Sequence, residues 1–248
     1  MSAIDAYFDN FTSIIDTVRK TQNENMELAA KMLADATASE HNIFTFGCSH
    51  AGLLALELYY RTGGMMTINP IRAPGLCLDI DPATMTSQME RLPEYGKIIA
   101  DNHPIGKGDA VIIHSVSGRN TVTVDFALRC REKGASVIAL TSVAAGKAIP
   151  SRHPSGKPLM DVADLVLDNC GCVGDASVNI EGVKEKVAPT STAVGAAMLN
   201  AIVARTVEIL CEQGITPTVF LSANVPGGDE HNREMLDKYK DHIFYMGY

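Results

Sequence analysis

The stretch Asp109-Ala110-Val111-Ile112-Ile113-His114-Ser115-Val116-Ser117-Gly118-Arg119-Asn120-Thr121 sets a short apolar run against a turn of hydroxyls, glycine and amide. A helical pattern follows, from about Asn120 to Lys133. A short continuous apolar run bounded by turn residues reads as a strand buried on both faces. The unit recurs along the chain. Asn42 to Phe46 reads as a strand ending in Gly47-Cys48-Ser49-His50, with a helix from about Ser49 to Arg61. Met65 to Asn69 reads as a second strand, Ser136 to Thr141 as another ending at Thr141-Ser142, and Leu165 to Asp168 as a fifth ending at Asp168-Asn169. Short apolar runs alternating with helices need crossover connections, which make an α/β fold with a five-stranded parallel sheet flanked by helices.

The remaining segments surround that core. Ile4, Phe8, Phe11, Ile14, Ile15 and Val18 recur at helical spacing, and Met26, Ala29, Ala30 and Leu33 repeat the pattern after Thr21-Gln22-Asn23. A long helix is expected from about Thr192 to Gln213, an apolar stretch at Thr218 to Leu221, and a last helix from about Asp229 to Phe244. The economical division is one domain over residues 1–248, with N-terminal helices to residue 40, an α/β core over 41–215 and a C-terminal segment over 216–248. Pro70 to Pro93 and Val143 to Asp161 are the loosest segments, and loops of that length in a compact fold are often functional.

Composition narrows the function classes. The 248 residues carry 21 Lys+Arg against 29 Asp+Glu, a net charge of −8, which with the absence of Trp argues against a nucleic-acid partner. Hydrophobic residues at 46% and charged residues at 20% describe a folding chain. No apolar run approaches membrane-spanning length, and Met1-Ser2-Ala3-Ile4-Asp5 does not open a signal peptide, so no membrane association is expected. Six cysteines (Cys48, Cys77, Cys130, Cys170, Cys172 and Cys211) without a CxxC suit reduced thiols and a cytoplasmic protein.

Open parallel sheets bind ligands beyond the carboxyl ends of their strands. The Ser115–Thr121 turn would present amides and hydroxyls to an anion at a helix N-terminus. The plainer alternative is a helix cap with nothing bound. Two further hydroxyl-bearing strand ends, and Ser191-Thr192 opening the long helix, weigh towards phosphate. Arg119 is the one cation in the turn, so directed dipoles more than a basic patch are expected to hold the anion. GxGxxG and GxxxxGK[ST] are absent, which disfavours dinucleotide and P-loop folds. Gly47-Cys48-Ser49-His50-Ala51 nearly matches a hydrolase elbow, but Ala51 stands at the last glycine position. Cys170-Gly171-Cys172 lacks the paired histidine spacing of a metal site, and no metal or other cofactor is called for.

Together, Phe46 to Gly52, Ser115 to Thr121, Thr141-Ser142 and Ser191-Thr192 resemble the SIS (sugar isomerase) domain over about residues 1–215. The resemblance implies a doubly wound α/β fold, a phosphosugar ligand and a homodimer or dimer of dimers. Glu57-Leu58-Tyr59-Tyr60-Arg61-Thr62-Gly63-Gly64 and Asn224-Val225-Pro226-Gly227-Gly228-Asp229-Glu230-His231-Asn232 are similar to stretches in stand-alone bacterial SIS proteins grouped with phosphoheptose isomerases.

By that resemblance Ser49, Ser115, Ser117, Asn120 and Thr121 would hold the phosphate, with Cys48, His50, Gly118, Ser142, Ser191 and Thr192 beside it or the sugar. Glu57 falls where those isomerases keep a catalytic carboxylate, an acid–base pair being what aldose–ketose isomerisation requires. The isomerase histidine of the long helix has no equivalent, since Met198, Leu199 and Asn200 occupy that region. His231 is the substitute candidate, in its own or a neighbouring subunit. Glu185, with Glu181 behind it, is placed near the carboxylate of the etherase branch. Each has a bland alternative: Glu57 as an i,i+4 partner of Arg61, Glu185 solvated between Lys184 and Lys186, His231 satisfying a glycine-rich turn. A phosphosugar sensor without catalysis, and a lyase or etherase, are the competing functions.

Overall fold

The computed structural model describes residues 2–246. Helix α1 (Ala3–Thr21) opens on a reciprocal capping box between Ser2 and Asp5, and α2 (Asn23–Ala38) turns back against it. Strand β1 (Ile43–Gly47) then enters the sheet and α3 (Gly52–Glu57) leaves its carboxyl end through one 3₁₀ turn. Strand β2 (Ile68–Pro70), α4 (Met85–Met89), α5 (Tyr95–Asp101), β3 (Ala110–His114) and α6 (Thr121–Glu132) follow. The chain continues through β4 (Ser136–Thr141), α7 (Val143–Ala148) and β5 (Leu165–Asp168), then a hairpin of β6 (Ala176–Val178) and β7 (Val187–Pro189). It ends with α8 (Ser191–Glu212) and α9 (Gly228–Lys238).

The five-stranded sheet has the order β2-β1-β3-β4-β5, every neighbouring pair parallel. Period-two alternation divides its side chains between two cores. Ile43, Ala110, Ile112, Ile138, Leu140 and Leu167 pack with α2, α3 and α8, while Phe44, Phe46, Val111, Ile113, Val137 and Ala139 pack with α5 and α6. Helices on both faces make the sheet doubly wound. Helix α8 has the length and apolarity of a membrane span, yet Val194, Met198, Leu199, Ile202 and Leu210 are buried in the first of these cores.

Three expected elements are shorter or displaced. The helix after β1 stops at Glu57 because Tyr60 turns to φ +46° and residues 63–66 pair with the C-terminal segment, Gly63 donating to Phe220 and Met66 to Thr218. That pairing also takes Met65 out of the sheet, as an antiparallel bridge to Val219, so β2 begins only at Ile68. The last helix ends at Lys238, because Asn69 holds the chain beyond it: its Nδ2 donates to the His242 carbonyl (3.0 Å) and its Oδ1 accepts from the Phe244 amide (2.8 Å).

Candidate functional site

Strand order reverses between β1 and β3, which is where an open parallel sheet presents a crevice. Gly47 and His114 are register partners at its floor. Gly47 is required there, since a Cβ would lie 2.5 Å from the Ala51 carbonyl oxygen. The chain turns sharply enough to put Ser49 at φ +54°, its amide donating to Leu76. On the facing side the Ser115–Thr121 turn passes through Gly118 at φ +61° with Leu159 packed against it, a conformation a side chain would strain.

These two turns bring Ser49, Ser115 and Ser117 to one end of the sheet, all half-buried, and their hydroxyls bond to nothing among the described residues. The main-chain amides of residues 116–120 make no hydrogen bond there either. Asn120 is the N-cap residue of α6 by position, but its side chain does not cap the helix. The turn is thus an array of directed, unspent donors, and the capping alternative does not describe it.

Several of the other expected binding residues are engaged internally. Ser142 is fully buried, capping α7 through the Ala145 amide (3.1 Å) and donating to the Gly171 carbonyl (2.7 Å). Ser191 donates its hydroxyl to Asp175 (2.6 Å), whose carboxylate also accepts the amides of Ser191 (2.9 Å) and Thr190 (3.2 Å). The chain's own anion therefore fills the N-terminus of α8, where Thr192 is the second helical residue. Thr121 is buried, with its hydroxyl 3.4 Å from the Arg152 carbonyl. Cys48 is buried beside Thr123, and burial pushes its thiol up to about 12. His50 is exposed at the mouth of the turn.

None of the three acid–base candidates lies on this turn. Glu57 is roughly 12 Å along the helical path from Ser49. Its carboxylate is paired with Arg61 and accepts from Asn200 of α8 at 3.1 Å. Glu185 is exposed in the connection between β6 and β7, as is Glu181. His231 sits in the first turn of α9, its Nε2 donating to the Val219 carbonyl at 3.2 Å. Helix α9 and the Tyr60–Thr62 turn enclose a groove of about 900 Å³ away from the strand ends, but His231 does not line it.

Side-chain charge stands beside the directed dipoles of the turn. Both loose segments deliver cations to the turn. Arg152 donates from Nη1 to Asn120 Oδ1 at 2.6 Å, and its amide donates to the Arg119 carbonyl at 2.8 Å. Arg152 is exposed, and slight desolvation, then the charges of Arg119 and Arg91, lower its guanidinium. Glu90 stands in the same cluster: burial raises its carboxyl, while a hydrogen bond from Asn120 and the charges of Arg91 and Arg152 oppose that rise. Arg152 is held in place by its neighbour His153, which bonds through Nε2 to buried Asp125 at 3.0 Å. Sequence reasoning missed Glu90, Arg91 and Arg152, and their one signal was membership of the Pro70–Pro93 and Val143–Asp161 segments.

One further histidine lies beneath the crevice. His114 donates from Nδ1 to the Ala51 carbonyl (3.0 Å), and burial drives its ring down to about 4, so it is neutral. No serine hydroxyl bonds to it among the described residues, which removes the support for a hydrolase elbow at Ser49.

A doubly wound sheet with a hydroxyl-lined turn at its switch point defines a class of protein, and the SIS domain profile matches residues 6–142, more than half the chain. The chain belongs to the SIS-domain family. Within that family it is a relative of the UPF0309 proteins: one from Oceanobacillus iheyensis is 43% identical over 246 residues, covering 99% of this chain and 100% of that one. Among solved structures, the phosphoheptose isomerase GmhA of Neisseria gonorrhoeae superposes with a TM-score of 0.54 at 14% identity, covering 83% of this chain and 97% of that one. The Vibrio vulnificus NanR protein complexed with ManNAc-6P gives 0.51 at 13% identity, covering 97% and 69%. At such identities the likeness is one of fold.

Proposed function

We propose that the protein binds a phosphorylated sugar in the β1/β3 crevice and interconverts its aldose and ketose forms, as a cytoplasmic homodimer or dimer of dimers. The observation that carries the binding part is the Ser115–Thr121 turn, with five consecutive free amides and unspent serine hydroxyls facing Ser49 across the crevice. A phosphate fits such a donor array because each oxygen accepts directed hydrogen bonds in a partly desolvated place. The sugar-phosphate isomerase and the ManNAc-6P complex among the fold's neighbours agree with a phosphosugar ligand.

In this reading Glu57 moves the proton between the two carbons of the aldose–ketose pair. It lies off the crevice of its own chain, next to an apolar face made by Leu53 and Leu56 of α3 and the exposed Ala193, Ala197, Ala201 and Ala204 of α8. The dimer belongs to the proposal as a second copy covering that face, with Glu57 acting at the seam between the two. A sensor without turnover is the second reading, favoured by the carboxylate's existing bonds to Arg61 and Asn200. An etherase is the weaker alternative, since Glu185 projects from an exposed connection.

Calorimetry with a panel of hexose, heptose and amino-sugar phosphates tests binding, and no heat from any of them with folded protein removes the proposal. Proton NMR in deuterated water separates the two readings. An isomerase incorporates deuterium at carbon, Glu57→Gln abolishes the exchange, and phosphosugar affinity stays within about threefold of the parent protein. Binding without exchange leaves the sensor.

A further inference from the structure

The cluster around α6 specifies more about the ligand than a phosphate turn alone requires. We infer that Arg152, with Arg91 and Arg119, is a charge-selecting wall of the crevice, admitting a phosphomonoester as its dianion, with Glu90 as the built-in counter-charge. The inference rests on the reading of the Ser115–Thr121 turn as a phosphate site and deepens it.

Placement comes first. Arg119 belongs to the turn, Arg152 leans on the turn's Asn120 through Nη1, and Glu90 offers its main-chain carbonyl to the Val122 amide in the first turn of α6 (3.2 Å). Asn120 therefore bridges a cation and an anion: its Oδ1 accepts from Arg152, and its amide nitrogen faces the Glu90 carboxylate. Three guanidiniums against the Glu90 carboxylate, with Asp125 tied to His153 beneath them, leave the mouth of the turn net positive. A dianion gains more from that surplus than a monoanion or a neutral sugar does.

Arg152 has fork geometry to spare. With Nη1 on Asn120, its Nε and Nη2 make no hydrogen bond among the described residues. That pair of N–H groups is the edge that grips an oxyanion bidentately. The side chain is also steered from below, since the His153–Asp125 pair, 3.0 Å and nearly closed to solvent, fixes the next residue. On its side of the ring His153 Nδ1 contacts the Ser155 hydroxyl at 2.7 Å, so the 152–155 turn is tied at both ends. Glu90 then has a definite part. With the crevice empty it screens the guanidiniums, and with phosphate bound it repels the ligand.

Those two roles carry opposite signs, which makes the test sharp. Titrate the full-length protein with inorganic phosphate at pH 8 by calorimetry. Arg152→Gln should weaken binding by about tenfold or more, and Arg152→Lys by an intermediate factor because it keeps charge but loses the fork. Glu90→Gln should tighten binding by about threefold or more, whereas a merely structural Glu90 would weaken it on removal. Thermal midpoints of all three variants check that they are folded. Unchanged affinity in Arg152→Gln, or weaker binding in Glu90→Gln, overturns the wall while leaving the phosphate turn in place. Parent protein that binds neither phosphate nor any phosphosugar of the panel overturns the turn and the wall together.

Discussion

Helices α6 and α8 both begin with a small polar residue at the carboxyl edge of the sheet, and on paper their N-termini are alike. In the folded chain they are opposites. At α8, Asp175 takes the Ser191 hydroxyl and two amides, so the positive end of the dipole is satisfied from within. At α6, no side chain caps the helix, the preceding amides are free, and arginines gather instead of a capping carboxylate. A hydroxyl before a helix therefore does not announce a ligand site. What decides is whether a distant residue has already spent the donors.

Acid should act first on the α8 side. His114 lies under that face, close enough to Asp175 for the carboxylate to raise its pKa, but burial dominates and holds the ring near 4. Unfolded, the same ring titrates near 6.5, so between those values the unfolded chain binds the extra proton. Stability from this group is complete above about pH 6.5 and is lost progressively as pH falls towards 4, about 3 kcal/mol in all. Urea unfolding at several pH values checks this by comparing parent protein with His114→Asn, which should lose most of that slope. Equal slopes would mean the ring is not held neutral in the native state.

The next largest effect tests Asp175 itself. Replacing it with Ala strands the Ser191 hydroxyl and the first amides of α8, a loss of about 2 kcal/mol in unfolding free energy. Phosphate affinity should stay within about twofold, because the α8 terminus is not the ligand's seat. A variant that binds phosphate tenfold more tightly would break the contrast, by showing that Asp175 had been masking an anion site.

The same contrast explains what the sequence could and could not disclose. Strands β3, β4 and β5 fall within a residue of their apolar runs: β3 and β4, buried on both faces, write themselves as contiguous apolar residues, and the half-buried edge strand β5 keeps a Leu-Val-Leu run. Strand β2 is displaced because Met65 bridges to Val219 and Met66 is buried against the C-terminal segment, a tertiary choice invisible to local pattern. The β6–β7 hairpin is short and weakly apolar, and carried no signal. At the site, the serine turn was legible because its donors are consecutive. Asp175 lies 16 residues before Ser191, and Arg152 32 residues after Asn120, so both arrive through folding alone. The His153–Asp125 bond that delivers Arg152 joins positions 28 apart, in a segment with no periodicity to read.

The finest test compares two serines that differ only in what they touch. Ser142 makes two buried hydrogen bonds, while Ser117 makes none and is half-buried. Alanine at 117 should leave unfolding free energy within about 0.5 kcal/mol of the parent, since no intramolecular partner is lost. It should still cost about 1.4 kcal/mol, or tenfold, in phosphosugar affinity. Alanine at 142 should reverse the pattern, lowering stability by about 1–2 kcal/mol through a lost cap and an unpaired Gly171 carbonyl. Its phosphosugar affinity should be near that of the parent, because the hydroxyl faces the protein interior. If both variants lose affinity alike with stability intact, the ligand reaches past the β1/β3 crevice to the end of β4, and burial would have misjudged Ser142.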